Sequence, residues 1–145
     1  MATVPGQIPG KVASPVAVTV AVERLPSASR TMRLVAIATP APGLHVYAPG
    51  NPGFTPLNLK VKGRPGMRIG PLQLPPAEEF VFNLGESVKG YSGPFRVTRT
   101  VTFDETTWRA LSAAIELKGS LTYQACTDTI CLRTTTVGLQ WKISR

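Results

Sequence analysis

Cys126 and Cys131 are the two cysteines of the chain, five positions apart in Tyr123-Gln124-Ala125-Cys126-Thr127-Asp128-Thr129-Ile130-Cys131. Thiol chemistry is therefore the first to weigh. If Cys126 ends one strand and Cys131 opens the next, the two thiols face each other across a short hairpin. A disulfide needs Cα atoms roughly 5.5 Å apart. Opposed residues on antiparallel strands lie about 4.5–5.5 Å apart, so such a pair opens and closes with little change in fold. The chain-entropy model gives about 2 kcal/mol for closing so short a loop, against about 4.7 kcal/mol for a loop of a hundred residues. A chain using its single disulfide for stability would gain more by bridging distant strands, as antibody-like sandwiches do. The residues thus favour a redox switch over a structural disulfide, with inert or metal-binding thiols as a third reading.

Other chemistry finds little to stand on. His45 is the single histidine, so a hydrolytic triad would rest on it alone; a surface or packing role is the simpler reading. No His-x-x-x-His or Cys-x-x-Cys pair suggests zinc. There is no Gly-rich phosphate loop and no Gly-x-Ser-x-Gly elbow. Two close thiols can hold Cu(I), with Met32 or Met67 assisting, yet neither Met is near the pair in sequence. Neither a metal nor another cofactor is expected. A competing function is an immunoglobulin-like binding module whose disulfide is purely structural.

The elements that must position the cysteines are strands. At 145 residues the chain is expected to be one domain with its own core. Its 14 Pro and 13 Gly are scattered, which fits many turns between short strands. Residues 1–13 read as a loose tail and 14–145 as the domain. Val16, Val18, Val20 and Val22 alternate with small and polar residues, which predicts a strand, and Arg30 to Thr39 predicts a second. Extended pieces follow at Leu44–Tyr47, Leu57–Val61, Met67–Leu72 and Glu78–Phe82. Phe95, Val97, Val101 and Phe103 share a face that Arg99 interrupts, which suggests a bulge or rim position. Asp104 to Ala114 is the one helix expected, capped by Asp104, with Trp108 and Leu111 towards the core. Leu117, Leu121 and Tyr123 lead to the first cysteine, and Thr135, Val137, Leu139, Trp141 and Ile143 alternate to the end. The fold class is all-β: an immunoglobulin-like antiparallel sandwich with at most one short helix.

The formal charge is +8, from 16 Lys and Arg against 8 Asp and Glu. The basic residues are dispersed and not interleaved with aromatics, so a solvated surface is a better reading than a nucleic-acid site; the charge can still steer acidic protein partners. No apolar run reaches the roughly 18 residues of a membrane span. Met1-Ala2-Thr3-Val4-Pro5-Gly6 lacks the basic and apolar regions of a signal peptide. The expectation is either a cytosolic protein or a mature domain behind an added Met1, and the cysteine pair favours the second.

Several segments together resemble the N-terminal periplasmic domain of the thiol:disulfide interchange protein DsbD, a disulfide-bond-corrector-type domain. They are Gly43-Leu44-His45-Val46-Tyr47, Pro75-Pro76-Ala77-Glu78 with Gly85-Glu86, Gly90-Tyr91-Ser92-Gly93, and Leu121-Thr122-Tyr123-Gln124-Ala125-Cys126 with Cys131. The order and spacing span roughly residues 15–143. The resemblance implies an immunoglobulin-like domain with a redox-active pair. It implies electrons taken from a thioredoxin-like domain that a membrane domain feeds. It also implies delivery to periplasmic disulfide isomerases and cytochrome-maturation proteins of the thioredoxin-like kind. By position, Cys131 would form the mixed disulfide and Cys126 would resolve it. Phe82-Asn83-Leu84-Gly85-Glu86 corresponds to a loop that caps the cysteines and swings away when a partner docks. His45 and Tyr47 match positions lining the site, and Tyr123 and Asp128 flank the pair in sequence. The chain departs from the family in carrying Leu132-Arg133-Thr134 where a Pro is common. Carboxylates at Asp128 and Glu86 raise the pKa of nearby thiols. A sluggish thiol, activated inside a partner complex, is therefore expected.

Overall fold

The computed structural model describes residues 2–3, 15–25, 28–82, 85–111 and 113–144. In chain order the first elements are β1 (Ala2–Thr3), β2 (Val16–Leu25), β3 (Ala28–Pro40), β4 (His45–Tyr47), β5 (Asn58–Val61) and β6 (Met67–Ile69). Then come β7 (Glu78–Phe82), β8 (Glu86–Tyr91), β9 (Phe95–Phe103), α1 (Glu105–Ala110), β10 (Ile115–Tyr123), β11 (Ala125–Cys126) and β12 (Thr135–Ile143). They form three sheets, ordered β1-β2-β3-β9-β6, β12-β10-β5 and β11-β4-β8-β7. Every strand pairing is antiparallel. The architecture is the expected all-β sandwich. Of the expected tail, Ala2 and Thr3 pair with β2 opposite Val20 and Thr19; residues 1 and 4–14 lie outside the described residues.

One main core joins all three sheets. Val18, Leu34 and Val97 enter it from the first, Leu59, Leu121 and Trp141 from the second, and Val46, Tyr91 and Ala125 from the third. Burying each large aliphatic side chain contributes roughly 1.5–3 kcal/mol. Trp141 Nε1–H donates to the Val35 carbonyl at 3.1 Å, so the buried indole joins the second sheet to the first without a stranded donor.

Two expectations need correction. Of the bulge or rim position expected at Arg99, the bulge is absent: β9 runs against β3 in unbroken register from Thr102 to Phe95, and Arg99 is half-buried. Its guanidinium donates to the Leu59 carbonyl, to the Gly70 carbonyl at 2.9 Å and to Asn58 Oδ1 at 3.1 Å. An inward-facing charge is tolerated because acceptors satisfy it, and it ties β9 to β5 and to the chain just after β6. The helix stops short of Ala114. Asp104 caps it, accepting from Thr107 N–H at 2.7 Å. That bond holds the Asp104 carboxyl below the usual carboxylate range. Leu111 leaves the helix in an extended conformation and buries its side chain in the main core, which ends the helix.

The third sheet positions the cysteines. β10 runs into β11 through Gln124, so the chain leaves the second sheet and joins the third without a turn. Gln124 fixes the crossing: its carbonyl accepts from Tyr47 N–H at 3.1 Å and its side-chain Oε1 accepts from Thr55 N–H at 2.9 Å.

Candidate functional site

Cys126 ends β11 and has His45 of β4 as its register partner on one side and Cys131 on the other. Thr127 N–H donates to the Ile130 carbonyl and Leu132 N–H to the Ala125 carbonyl, both at 2.8 Å. These bonds flank the cysteines, so the pair occupies a non-hydrogen-bonded position, the closer kind in an antiparallel ladder. Its Cα atoms are 4.0 Å apart and the disulfide is formed, tighter than the sequence suggested. Thr127 Oγ1 holds the turn by accepting from Ile130 N–H at 3.0 Å and Thr129 N–H at 3.3 Å, as Thr does in tight turns. The two sulfurs are not equivalent. Cys126 is 0% exposed, whereas Cys131 is partly exposed and sits between exposed apolar Ile130 (63%) and Leu132 (37%).

Alternation along the strands decides what surrounds the pair. Side chains alternate across a strand, so Tyr123 and Ala125 turn to the main core while Gln124 and Cys126 turn to the outer face. Cross-strand register puts His45 and Tyr47 on that outer face, with Gly90 opposite Tyr47 and Phe80 opposite Val88. Tyr47, Val88 and Cys126 form a second buried cluster, covered by Phe54, Phe80, Phe82 and Cys131. Tyr47 meets Phe54 edge-on at 4.5 Å and Phe82 at 6.2 Å, and Phe54 meets Phe82 at 5.7 Å. Edge-to-face pairs of this kind contribute about 0.5–1.5 kcal/mol each beyond area burial. Gly90 permits the arrangement, since an added Cβ would lie 2.4 Å from the Val46 carbonyl oxygen. Phe54 is held in place by its loop. Asn51 Nδ2–H donates to the Lys89 carbonyl at 2.7 Å and Asn51 Oδ1 accepts from Lys89 N–H at 3.0 Å.

Polar groups border this apolar nest. His45 stacks on Phe80 at 3.9 Å, and its Nε2–H donates to Asp128 Oδ1 at 3.1 Å; a carboxylate only accepts, so Nε2 carries the hydrogen. The His45 Nδ1 and Tyr47 hydroxyl are buried and have no hydrogen-bond partner among the described residues. Burial first, then the charges of Glu86 and Asp128, push the Tyr47 hydroxyl above its ordinary range. The same carboxylates thus act on the outer face.

The structure brings together Cys126, Cys131, His45, Tyr47, Asp128 and Phe82. It places Tyr123 elsewhere, buried in the main core, because its parity is opposite to that of Cys126. Within the expected cap, Gly85 turns with φ +103° and Glu86 pairs with Phe82; Asn83 and Leu84 lie outside the described residues. Met32 and Met67 belong to the main core, away from the thiols. Phe54 was not singled out in the sequence, and Phe80 and Gln124 were named there only within segments, without a role at the site. For Gln124 a signal existed, its place between Tyr123 and Ala125, where one residue must serve both sheets. Phe54 and Phe80 gave none beyond being aromatic near Pro and Gly.

A family model described as "Thiol:disulfide interchange protein DsbD, N-terminal" matches residues 13–141. Among solved structures, the N-terminal periplasmic domain of ScsB from Proteus mirabilis aligns with TM-score 0.60 and 14% identity, over 96% of this chain and 51% of that one. This chain thus spans about half the length of that structure, and at such identity the likeness bears on fold. The DsbD n-terminal domain of Neisseria meningitidis in the reduced form aligns with TM-score 0.49 and 17% identity, over 77% of this chain and 76% of that one. The yeast GGA1 GAE domain aligns with TM-score 0.47 and 11% identity, over 93% and 96%. No curated protein matches the sequence.

Proposed function

The chain belongs to the family of DsbD N-terminal domains, thiol–disulfide interchange domains with a cysteine pair, and on that premise we propose that it relays electrons outside the cytoplasm, in the periplasm. The donor is a reduced thioredoxin-like domain, itself fed by a membrane domain to which this one is tethered in the full protein. The acceptors are oxidised thioredoxin-like proteins that isomerise disulfides or mature cytochromes.

The chemistry is thiol–disulfide exchange in two halves. The donor thiolate attacks Cys131 Sγ, the Cys126–Cys131 bond breaks, and its electron pair leaves on Cys126, which takes up a proton. The donor's second thiolate then attacks the mixed disulfide and frees Cys131. In the second half Cys131 attacks the acceptor disulfide and Cys126 resolves the mixed disulfide, closing the pair again. Two electrons pass in each half. The segment carrying Phe82, Gly85 and Glu86 acts as the cap that yields to a docking partner. The carboxylates of Asp128 and Glu86 keep the free thiols sluggish; a Cys131 pKa well below about 7 in the free domain would contradict this.

The observation that carries the reading is the asymmetry of the pair. One sulfur is sealed beneath aromatics and the other is presented at a sheet edge between exposed apolar residues, outside the core that holds the sandwich together. Single-cysteine variants test it. Cys126→Ser, which leaves Cys131, should form a mixed disulfide with oxidised glutathione at least about tenfold faster than Cys131→Ser, since access governs exchange. Equal rates, or the reverse order, would refute the assignment.

A further inference from the structure

We infer that His45, held by Asp128, is the group that takes the proton of Cys126 when that cysteine closes the disulfide, and returns it when the disulfide opens. The inference rests on the exchange reading above and adds a residue and a proton route to it.

The imidazole is oriented at one nitrogen and open at the other. Nε2–H donates to Asp128 Oδ1, so in the neutral ring Nδ1 is a bare acceptor. Phe80 fixes the ring plane by stacking on it. Nδ1 is buried and has no hydrogen-bond partner among the described residues. A buried acceptor without a donor is unfavourable, and in the oxidised protein neither sulfur carries a hydrogen. Reduction supplies the missing donor. Cys126 gains an S–H directly across the ladder from His45, on the same face, where facing side chains begin about 4.5–5.5 Å apart at Cβ. The orienting carboxylate, the ring with one occupied nitrogen and the buried nucleophile repeat the logic by which a base activates a nucleophile in covalent catalysis.

Cys126 needs that help more than Cys131 does. It is fully buried, and burial disfavours thiolate. The other groups facing His45 give it none. From the turn comes Asp128 and from the start of β8 Glu86, both acidic; from β4 itself comes Tyr47, whose hydroxyl is held protonated. β7 offers apolar Phe80, with Glu78 bound by Ser92 Oγ–H at 3.2 Å. In the closing step the Cys126 S–H proton passes to His45 Nδ1 and Cys126 Sγ attacks Cys131 Sγ. The new bond displaces the partner's sulfur, which leaves with the electron pair. In the opening step the imidazolium returns the proton to the departing Cys126 thiolate.

The test uses the reduced domain and the aromatic disulfide dithiobis(nitrobenzoate), whose released thiolate is coloured. Cys131 releases the first equivalent; resolution by Cys126 releases the second in a first-order phase that reports the proposed step. In the parent domain the second-phase rate should depend on pH, rising from acid towards neutral as a general base requires. His45→Gln should slow this phase at neutral pH by about tenfold or more, lose the rise from acid towards neutral, and recover only above the ordinary thiol range of about 8.5, since Cys126 is buried. Asp128→Asn alters a side chain that is 79% exposed, so it keeps the fold; it should slow the second phase less than His45→Gln does. The first phase should be unchanged in His45→Gln; in Asp128→Asn it should quicken, because a carboxylate that disfavours thiolate is gone. A parent domain that releases a single equivalent overturns the exchange reading and this inference with it. Two equivalents, with the parent's second-phase profile retained in His45→Gln, overturn this inference alone. If His45→Gln fails to fold, an unaltered profile in Asp128→Asn has the same meaning.

Discussion

The third sheet has two faces built from alternate residues of the same strands. Val46, Tyr91 and Ala125 point inward and join the core shared by all three sheets. His45, Tyr47 and Cys126 point outward into a small aromatic nest with a disulfide at its rim and with polar atoms that lack a hydrogen-bond partner among the described residues. The inner face is satisfied, apolar and continuous with the sandwich, and its work is stability. The outer face is covered by a few aromatics in a cluster separate from the main core, and keeps reactive groups at its border. One backbone therefore serves both purposes, and the fold can stay intact while the outer face changes redox state.

The contrast can be broken at several places. The largest effect belongs to the cysteines. Either Cys→Ser change should abolish two-electron turnover with a thioredoxin-like reductase, leaving the sandwich folded by circular dichroism. Next comes the inner side. Leu121→Ala should cost about 2–5 kcal/mol in urea unfolding, while the molecules still folded keep the parent exchange rate. Gly90→Ala joins the two faces, because its Cβ would meet the Val46 carbonyl; overpacking of this kind costs about 1–3 kcal/mol, and exchange should fall as well. Phe80→Ala on the outer face should cost less, about 1 kcal/mol, but speed alkylation of Cys126 in the reduced domain. A larger loss of stability than for Leu121→Ala would contradict the division of labour.

The smallest effect is alkaline. The folded Tyr47 hydroxyl titrates above its ordinary value because burial, and then the nearby carboxylates, disfavour the phenolate. Its contribution is therefore complete below about pH 10 and is lost as pH rises through the raised folded value. The urea midpoint of the parent should decline above about pH 10. Tyr47→Phe should soften that decline and leave neutral stability nearly unchanged, since the hydroxyl has no partner to lose among the described residues.

What the sequence revealed follows the same division. The inner pattern is periodic, so the alternating valines of β2 and the apolar face of β9 could be read directly. Arg99 misled because its parity is inward but its acceptors lie on segments 29 and 40 residues away. Tyr123 flanks Cys126 in sequence but lies in the core, because alternation sends the two side chains to opposite faces. The cysteine pair was legible from spacing alone. The His45–Asp128 contact joins residues 83 apart and depends on β11 pairing with β4, which no local pattern encodes. The matched segments have partly structural reasons. Tyr91 O–H donates to the Pro75 carbonyl at 2.8 Å, Ser92 binds Glu78, and Gly90 allows β8 to approach β4.

The central claim is that the cysteine pair is a switch set on a fold that does not depend on it. A redox titration in glutathione or dithiothreitol buffers tests this directly, with free thiols trapped by alkylation, counted by mass spectrometry, and circular dichroism recorded in parallel. A reversible two-thiol transition between about −270 and −120 mV, with an unchanged spectrum, is the predicted result. A disulfide still closed below about −300 mV, or a sandwich that unfolds when the pair is reduced, would contradict it.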